Sequence, residues 1–271
     1  MKQLSVLFSV ISGFLLMLLS CSTGSADSVK YVSFETSKGT IKLMLYNETP
    51  VHKENMIKLV KEGFYDGVKF HRVINEFMIQ AGDPNTKEGM TEEAAEIYNY
   101  TISAEIIDSL FHKKGVLAAA RTGDNFNPER KSSGTQFYIV QGRTFNDNEL
   151  DQIENRVNTN LKQAIYYKNL INEKKRVVEE GDKMTDAEIQ EFAAVVSYDE
   201  IAEMQDFVIS PQRREIYKTT GGTPHLDMQY TVYGEVVEGM EIVDAIAGSQ
   251  TDQDNRPLED IIILKARITK R

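Results

Sequence analysis

The chain has 271 residues, with 41 acidic and 31 basic side chains and a formal net charge of −10. A protein that binds nucleic acid favours a basic face, so this charge argues against a nucleic-acid partner. Hydrophobic residues make up 41% of the sequence, which is ordinary for a globular protein that buries a full core.

The N-terminal residues resemble the export signal of a bacterial lipoprotein. Lys2 provides a positive charge, and the apolar stretch from Leu4 to Leu19 is short for a membrane span. The stretch ends in Leu18-Leu19-Ser20-Cys21, which is similar to a lipobox and implies cleavage before Cys21 and lipidation of its thiol. We therefore expect a signal peptide over residues 1–20. The alternative is an ordinary signal peptide with a chance cysteine.

Cys21 is the only cysteine of the chain, so no intramolecular disulfide is possible. Residues 21–30 are mostly small and polar, which is typical of a flexible tether. No acidic run follows Cys21 directly. We therefore expect a protein of the bacterial cell envelope, held at a membrane by a lipid on Cys21 and facing the periplasm.

A β-hairpin and a helix are predicted next. Apolar residues alternate with polar ones from Tyr31 to Tyr46, on both sides of a turn at Ser37-Lys38-Gly39. Thr49 and Pro50 are typical of an N-cap and a first helical position, and Gly63 is a plausible end of that helix.

The stretch from Phe70 to Pro84 reads as strand, break, strand and turn. Arg72 and Ile74 share one face, and Met78 and Gln80 share another. If the two faces meet, a guanidinium and an amide lie over an apolar floor and could hold a carbonyl beside a hydrophobic group. The alternative is an ordinary buried strand pair with an arginine at its edge.

Residues 146–222 are predicted to be helical. Apolar residues recur at helical spacing from Leu150 to Ile171, with Asn146 or Asp147 as the cap and Gly181 as the end. Further helices are expected to open at Thr185, at Ser197 and at Ser210-Pro211, the first two from capping-box patterns. These helices must pack on each other, on the rest of the protein or on another chain. Self-packing, capture of a client and dimerisation all remain open.

Three stretches resemble the cyclophilin-type peptidyl-prolyl cis-trans isomerases. Phe70 to Asp83 is close to the pattern F-H-R-V-I-x-x-F-M-I-Q-G-G-D, with Ala81 as the departure, and Ser132 to Val140 and Leu226 to Gly234 are similar to two more family runs. The resemblance covers residues 31–145 and 223–271. It implies a mostly β fold, a closed antiparallel eight-stranded barrel with two capping helices, into which residues 146–222 are inserted as an α-helical subdomain.

The resemblance also implies the roles of individual residues. Arg72 matches the catalytic arginine. Met228 replaces a usual glycine and leaves the geometry of its turn open. The residues that match substrate-binding positions are Phe77, Met78, Gln80, Ala120, Arg121, Gln136, Tyr138, His225, Leu226 and Tyr230. Arg121 stands where the family often has asparagine, and it could reach an acidic substrate or be solvated.

We expect neither a metal nor a cofactor. The four histidines show no metal-ligand spacing, and His71 is interpreted as a satisfied structural histidine. The expected function is isomerisation of Xaa-Pro bonds in unfolded or extended polypeptides, which assists the folding of envelope or secreted proteins. The alternative is a chaperone or peptide-binding module whose inserted helices hold clients or associate with a second copy. A purely structural lipoprotein is a third, weaker hypothesis.

Overall fold

The computed structural model describes residues 29–270. The predicted signal peptide and the lipidation site at Cys21 lie outside the described residues. The strands, in chain order, are β1 (Lys30–Thr36), β2 (Gly39–Leu45), β3 (Arg72–Ile74), β4 (Met78–Ala81), β5 (Thr101–Ile102), β6 (Val116–Ala119), β7 (Ser132–Ser133), β8 (Phe137–Val140), β9 (Val232–Glu238) and β10 (Ile263–Thr269).

Eight of these strands form one antiparallel sheet in the order β10-β1-β2-β9-β6-β8-β4-β3, and β5 pairs with β7. The predicted hairpin is β1 and β2, which pair from Lys30–Leu45 to Thr36–Gly39. The predicted strand-break-strand is β3 and β4.

The prediction of a closed barrel is not met. Within residues 29–270 no ladder joins the edge strands β3 and β10, and only an isolated bridge, Lys69–Ile262, lies near them. β3 is three residues long, and its Val73 N–H donates at 2.8 Å to the carbonyl of Asn255, which lies in a loop and not in a neighbouring strand. The fold is also mixed α/β rather than mostly β.

The helices are α1 (Pro50–Lys61), α2 (Glu92–Glu96), α3 (Asp147–Glu180), α4 (Asp186–Glu203), α5 (Pro211–Thr219) and α6 (Met240–Ala247), with short 3-10 helices at Pro84–Thr86 and Pro224–Leu226. None of the helices within residues 29–270 has the length and apolarity needed to cross a membrane.

Helix α1 begins at Pro50 as predicted, but Thr49 makes no capping hydrogen bond with its side chain. Instead the Glu105 carboxylate accepts from the N–H groups of Val51 and His52, each at 3.0 Å. A negative charge at this helix end complements the helix dipole. Helix α6 follows β9 and begins at Met240.

The main core lies between the sheet and helices α1 and α6. Alternate residues of β1 and β2 are buried in it, as the period-2 pattern requires. An aromatic group of Phe34, Tyr65 and Phe137 fills its centre, with the Phe34 and Phe137 ring centroids 5.3 Å apart. This core holds the strands that carry the site in fixed positions.

Helices α3, α4 and α5 form two parts. The first part of α3 and α5 pack on the body through a separate apolar cluster that includes Phe145, Leu150, Val157, Ile209 and Tyr217. The second part is an outer pair, residues 164–204, which we call the distal hairpin; there the second half of α3 lies against α4.

Capping explains where α3 and α4 begin and where α3 ends. The capping boxes Asn146–Glu149 and Thr185–Glu188 are both present, and Gly181 ends α3 in a left-handed conformation. The predicted helix start at Ser197 is wrong, because Ser197 lies inside α4. Its hydroxyl donates to the Ala193 carbonyl at 2.5 Å, one turn back, and accepts from Asn169 at 3.1 Å.

Candidate functional site

A cavity of about 400 Å³ opens on the outer side of β4, β6 and β8, next to the 3-10 helix Pro224–Leu226. The residues that line it are Arg72, Phe77, Met78, Gln80, Ala120, Arg121, Tyr138, Leu226 and Tyr230. All nine were predicted as catalytic or substrate-binding residues. The structure therefore brings together residues from four separate stretches of the chain.

The polar edge of the cavity follows from strand register. β3 and β4 pair with Arg72 opposite Gln80 and Ile74 opposite Met78, so the two faces considered in the sequence are one face. The Arg72 Nη1 donates to Gln80 Oε1 at 3.4 Å, and Gln80 Nε2 donates to Gln136 Oε1 at 3.0 Å. This row places a positive charge and two amides along one side of an apolar hollow.

Gln136 does not line the cavity itself. It borders a second hollow of about 840 Å³, whose walls include Asp83, Glu92 and Glu96. The hydrogen bond from Gln80 places Gln136 between the two hollows. An extended chain that lay across the site would meet both of them.

The floor of the cavity is apolar and well supported. Met78 and Tyr138 are buried, and behind them lies a cluster that includes Val116, Ala118 and Val140. The Tyr230 ring meets Tyr138 edge-on, with centroids 5.9 Å apart. A rigid apolar floor of this kind suits a small ring such as that of proline.

Arg121 is neither solvated nor free. Its side chain is 4% exposed, its Nη1 lies 2.6 Å from the Asp124 carboxylate, and its Nε donates to the Gln229 carbonyl at 2.8 Å. The guanidinium carbon lies 4.5 Å from the centroid of the Tyr230 ring. Arg121 therefore builds the wall of the cavity and fixes Tyr230.

His225 lies just outside the lining. Its ring centroid is 5.3 Å from that of Phe77. Burial, and then the nearby charge of Arg156, lower the pKa of His225 to about 4, so the ring is neutral at pH 7. A neutral ring extends the apolar surface of Phe77.

Sequence reasoning missed two residues behind the cavity, His112 and Asp227. His112 Nε2 lies 2.9 Å from the Tyr138 hydroxyl, and His112 Nδ1 lies 3.0 Å from Asp227 Oδ1. A signal existed: a tyrosine at an apolar wall position needs a partner for its hydroxyl. The turn at Met228, left open above, has a left-handed backbone with φ of 61°.

A second buried chain of this kind ties α1 to β7. His52 Nδ1 lies 2.6 Å from Glu105 Oε2, and His52 Nε2 lies 2.8 Å from the Ser132 hydroxyl. Ser132 is 1% exposed, so no substrate reaches it as a nucleophile. The prediction that His71 is satisfied is not met for its Nδ1, which is buried without a partner among residues 29–270. Within the same residues no group of His, Cys, Asp and Glu side chains could hold a metal ion.

Residues 31–166 and 213–268 match the sequence model of the family described as cyclophilin type peptidyl-prolyl cis-trans isomerase/CLD. A Staphylococcus aureus protein named for peptidyl-prolyl cis-trans isomerase activity is 30% identical over 86% of this chain and 88% of its own length. A Streptococcus pyogenes protein named for phosphatase and isomerase activities is 32% identical, and this chain spans 37% of its length.

Solved structures also resemble this fold. A cyclophilin-type isomerase of Cryptosporidium parvum matches with a TM-score of 0.54 at 18% identity, covering 90% of this chain and 99% of its own. The same protein solved in the presence of the dipeptide Ala-Pro matches with a TM-score of 0.53. At this identity the likeness shows the fold alone.

Proposed function

The chain belongs to the cyclophilin-type peptidyl-prolyl cis-trans isomerases, and from that premise we propose that Arg72 catalyses rotation of an Xaa-Pro bond whose proline ring lies in the 400 Å³ cavity. The observation that carries this assignment is the position of Arg72. Its guanidinium lies at the edge of the apolar hollow, beside Gln80 and 6.0 Å from the Phe77 ring centroid.

The chemistry that the site must perform is limited. Resonance makes the amide planar and sets a barrier of about 18–20 kcal/mol to rotation. In the twisted transition state the prolyl nitrogen becomes pyramidal and accepts a hydrogen bond. Catalysis therefore requires groups that favour this twisted amide over both planar forms. It requires no nucleophile and no change of covalent bonds.

Arg72 supplies such a group. A guanidinium is charged and offers several N–H donors in a rigid fork. Gln80 Oε1 accepts a hydrogen bond from Arg72 Nη1 at 3.4 Å, and this contact orients the guanidinium at the edge of the cavity. Arg72 lines the cavity, so its remaining N–H groups are available to an amide bound there. Preorganised donors in a desolvated site stabilise the transition state more than they would in water.

The proline ring is held in place, while the amide rotates, by the side chains of Phe77, Met78, Leu226 and Tyr138. We infer that the Gln136 amide bonds to the backbone of an extended polypeptide, because Gln136 is held by Gln80 and borders the second hollow. Unfolded or extended proline-containing chains are therefore the expected substrates. The presence of Ala-Pro in the structure of a relative agrees with this class of ligand.

Kinetics on a short proline peptide test the assignment. We expect Arg72→Ala to lower kcat/KM at least about 100-fold, the scale of losing one preorganised donor. Arg72→Lys keeps the charge without the fork and is expected to be nearly as slow. Arg256→Ala, which removes an arginine outside the cavity, is the matched control. Near-normal turnover by Arg72→Ala would contradict the assignment of Arg72 as the catalytic residue.

We also propose that the protein works at the cell envelope, anchored by a lipid on Cys21 and facing the periplasm, where it assists the folding of exported proteins. The support is the sequence of residues 1–30. Metabolic labelling with a fatty-acid analogue tests it: the wild type should carry the label and Cys21→Ser should not. An unlabelled wild type would contradict the anchor, and Ser22→Ala serves as the control.

A second function is supported by the surface of α4. Phe192, Val195 and Tyr198 lie at spacing that places them on one side of the helix, and they are 47%, 63% and 74% exposed. Neighbouring exposed apolar side chains are typical of a surface that meets another chain. We propose that the distal hairpin holds unfolded clients while the cavity isomerises them. Association with a second copy is the alternative occupant.

A further inference from the structure

A buried chain of hydrogen bonds leads from helix α5 to the wall of the cavity. The Tyr217 hydroxyl donates to Asp227 Oδ2 at 2.7 Å. Asp227 Oδ1 lies 3.0 Å from His112 Nδ1, and His112 Nε2 lies 2.9 Å from the Tyr138 hydroxyl. The four side chains are at most 4% exposed. Water therefore does not substitute for any of these partners.

The Asp227 carboxylate can only accept hydrogen bonds, so it determines which groups of this chain act as donors. The Asp227 carboxylate accepts from the Tyr217 hydroxyl and also from the His112 backbone N–H at 2.8 Å. Its contact with His112 Nδ1 requires the proton to be on that nitrogen. His112 Nε2 is then the acceptor, and the Tyr138 hydroxyl donates to it. Every buried polar group of the chain is satisfied in this arrangement.

The last member of the chain is a wall of the cavity. Tyr138 presents its ring to the cavity, and its hydroxyl points away toward His112. The His112 ring stacks on the Tyr138 ring at 6.1 Å, and the Tyr230 ring contacts it edge-on. The orientation of this wall therefore depends on a hydrogen-bonded chain whose first donor, Tyr217, lies on helix α5.

We propose that Tyr217 is a positioning residue for the isomerase: acting through Asp227 and His112, it holds the Tyr138 ring in place as the wall of the proline site. The proposal rests on the function proposed for the cavity and adds a role for helix α5 in it. Tyr217 touches no substrate. Without its hydroxyl, Asp227 Oδ2 loses a donor in a buried site, and the carboxylate and imidazole behind Tyr138 lose their fixed arrangement.

A double-mutant cycle tests this inference. The proteins are the full-length wild type, Tyr217→Phe, Tyr138→Phe and the double variant, with kcat and KM measured separately on a proline tetrapeptide. Tyr217→Phe is expected to lower kcat/KM roughly fivefold, the scale of one lost hydrogen bond, and mainly by raising KM. In the Tyr138→Phe background the same change should have no further effect, because the hydroxyl that connects the chain to the wall is absent.

The control is Tyr31→Phe, the same chemical change at a partly exposed tyrosine of β1, which should leave kcat/KM unchanged. Equal effects of Tyr217→Phe in both backgrounds, or no effect at all, would overturn the inference while the wild-type and Arg72→Ala rates still support the isomerase. An inactive wild type would instead overturn the proposed function.

A second readout does not depend on the folding of any variant. The nitrogen-15 shifts of the His112 ring in the wild type report which ring nitrogen carries the proton. The inference requires a protonated Nδ1 and an unprotonated Nε2. The opposite tautomer would leave Asp227 without a donor from the ring and would contradict the inference.

Discussion

The proline cavity and the distal hairpin are built in opposite ways. The cavity lies on strands whose reverse faces are buried in apolar side chains, and its own floor residues Met78 and Tyr138 are 2% and 4% exposed. The distal hairpin has a thin interior with several polar members, such as Asn169, Glu173 and Ser197. Its larger apolar side chains, Phe192 among them, face outward.

This difference indicates a difference in use. Chemistry on a single bond requires groups that are held within a fraction of an ångström, and a packed sheet provides this. The two helices of the distal hairpin are joined by small side chains, by ion pairs such as Lys168–Glu200 and by a buried Asn169–Ser197 hydrogen bond. Separating them therefore costs less free energy than opening the packed sheet. An adaptable apolar surface suits clients of varied sequence.

One glycine in the body of the protein and one at the tip of the distal hairpin show the same difference in packing. Gly222, which follows helix α5, has φ of 156°, and a Cβ there would overlap the carbonyl oxygen of His112. Gly181 at the hairpin tip has φ of 71° with open space around it. Gly222→Ala should lower the free energy of unfolding by about 3 kcal/mol or more, and Gly181→Ala by only about 1 kcal/mol. Urea unfolding measures both, and equal losses would break the comparison.

Acid should affect the two regions in different pH ranges. In the unfolded chain His225 takes up a proton near pH 6.5, whereas burial delays this to about pH 4 in the folded protein. Between these values the unfolded state binds more protons, so stability falls as the pH is lowered from 6.5 to 4. Burial also lowers the pKa of His52 and of His71. We expect His225 to account for about 1 to 3 kcal/mol of this loss.

The carboxylates of the distal hairpin take up protons only at a lower pH. Hydrogen bonds from Arg176 and Lys168 hold the pKa of Glu173 and of Glu200 below the ordinary value. Their contribution is present at neutral pH and is lost only as the pH falls below about 4.5. Urea unfolding of the wild type and His225→Phe at several pH values measures the first phase. A wild type of constant stability between pH 6.5 and pH 4 would contradict it.

Shortening the hairpin should have the smallest effect on the chemistry. The base of the hairpin is held by Asn158, which exchanges hydrogen bonds with Phe207 at 2.9 and 2.7 Å, so residues 164–204 can be replaced by a short Gly-Ser linker. We expect kcat/KM on a tetrapeptide to change less than about twofold, and suppression of aggregation of an unfolded protein to be lost.

The matched control for that experiment keeps the hairpin and replaces Phe192, Val195 and Tyr198 with serine. It should lose aggregation suppression in the same way, since only the exposed apolar surface is removed. Suppression that survives in both variants would refute client binding by the hairpin. A change from monomer to dimer that depends on these three residues would assign the surface to self-association.

The sequence predicted the cavity well because its residues lie in short local patterns. Arg72 and Gln80 come from one strand-turn-strand, and the alternation of strand side chains brings them to one face. Family resemblance then located Gln136, Tyr138 and Leu226. Helix starts marked by capping boxes at Asn146 and Thr185 were also correct.

Interactions between distant residues could not be predicted. Asp227 joins His112 to Tyr217, and Glu105 rather than Thr49 satisfies the start of α1. No local pattern encodes these pairs. The false helix start at Ser197 has a local cause, because Ser-x-x-Glu also occurs inside helices, where the serine hydroxyl bonds to the carbonyl one turn back.

The most direct test of these roles compares three proteins on one proline tetrapeptide: the wild type, Arg72→Ala and the variant without residues 164–204. The account predicts that kcat/KM falls at least about 100-fold in Arg72→Ala and stays within about twofold of the wild type in the shortened protein. A shortened protein as slow as Arg72→Ala, or an Arg72→Ala variant as fast as the wild type, would contradict it.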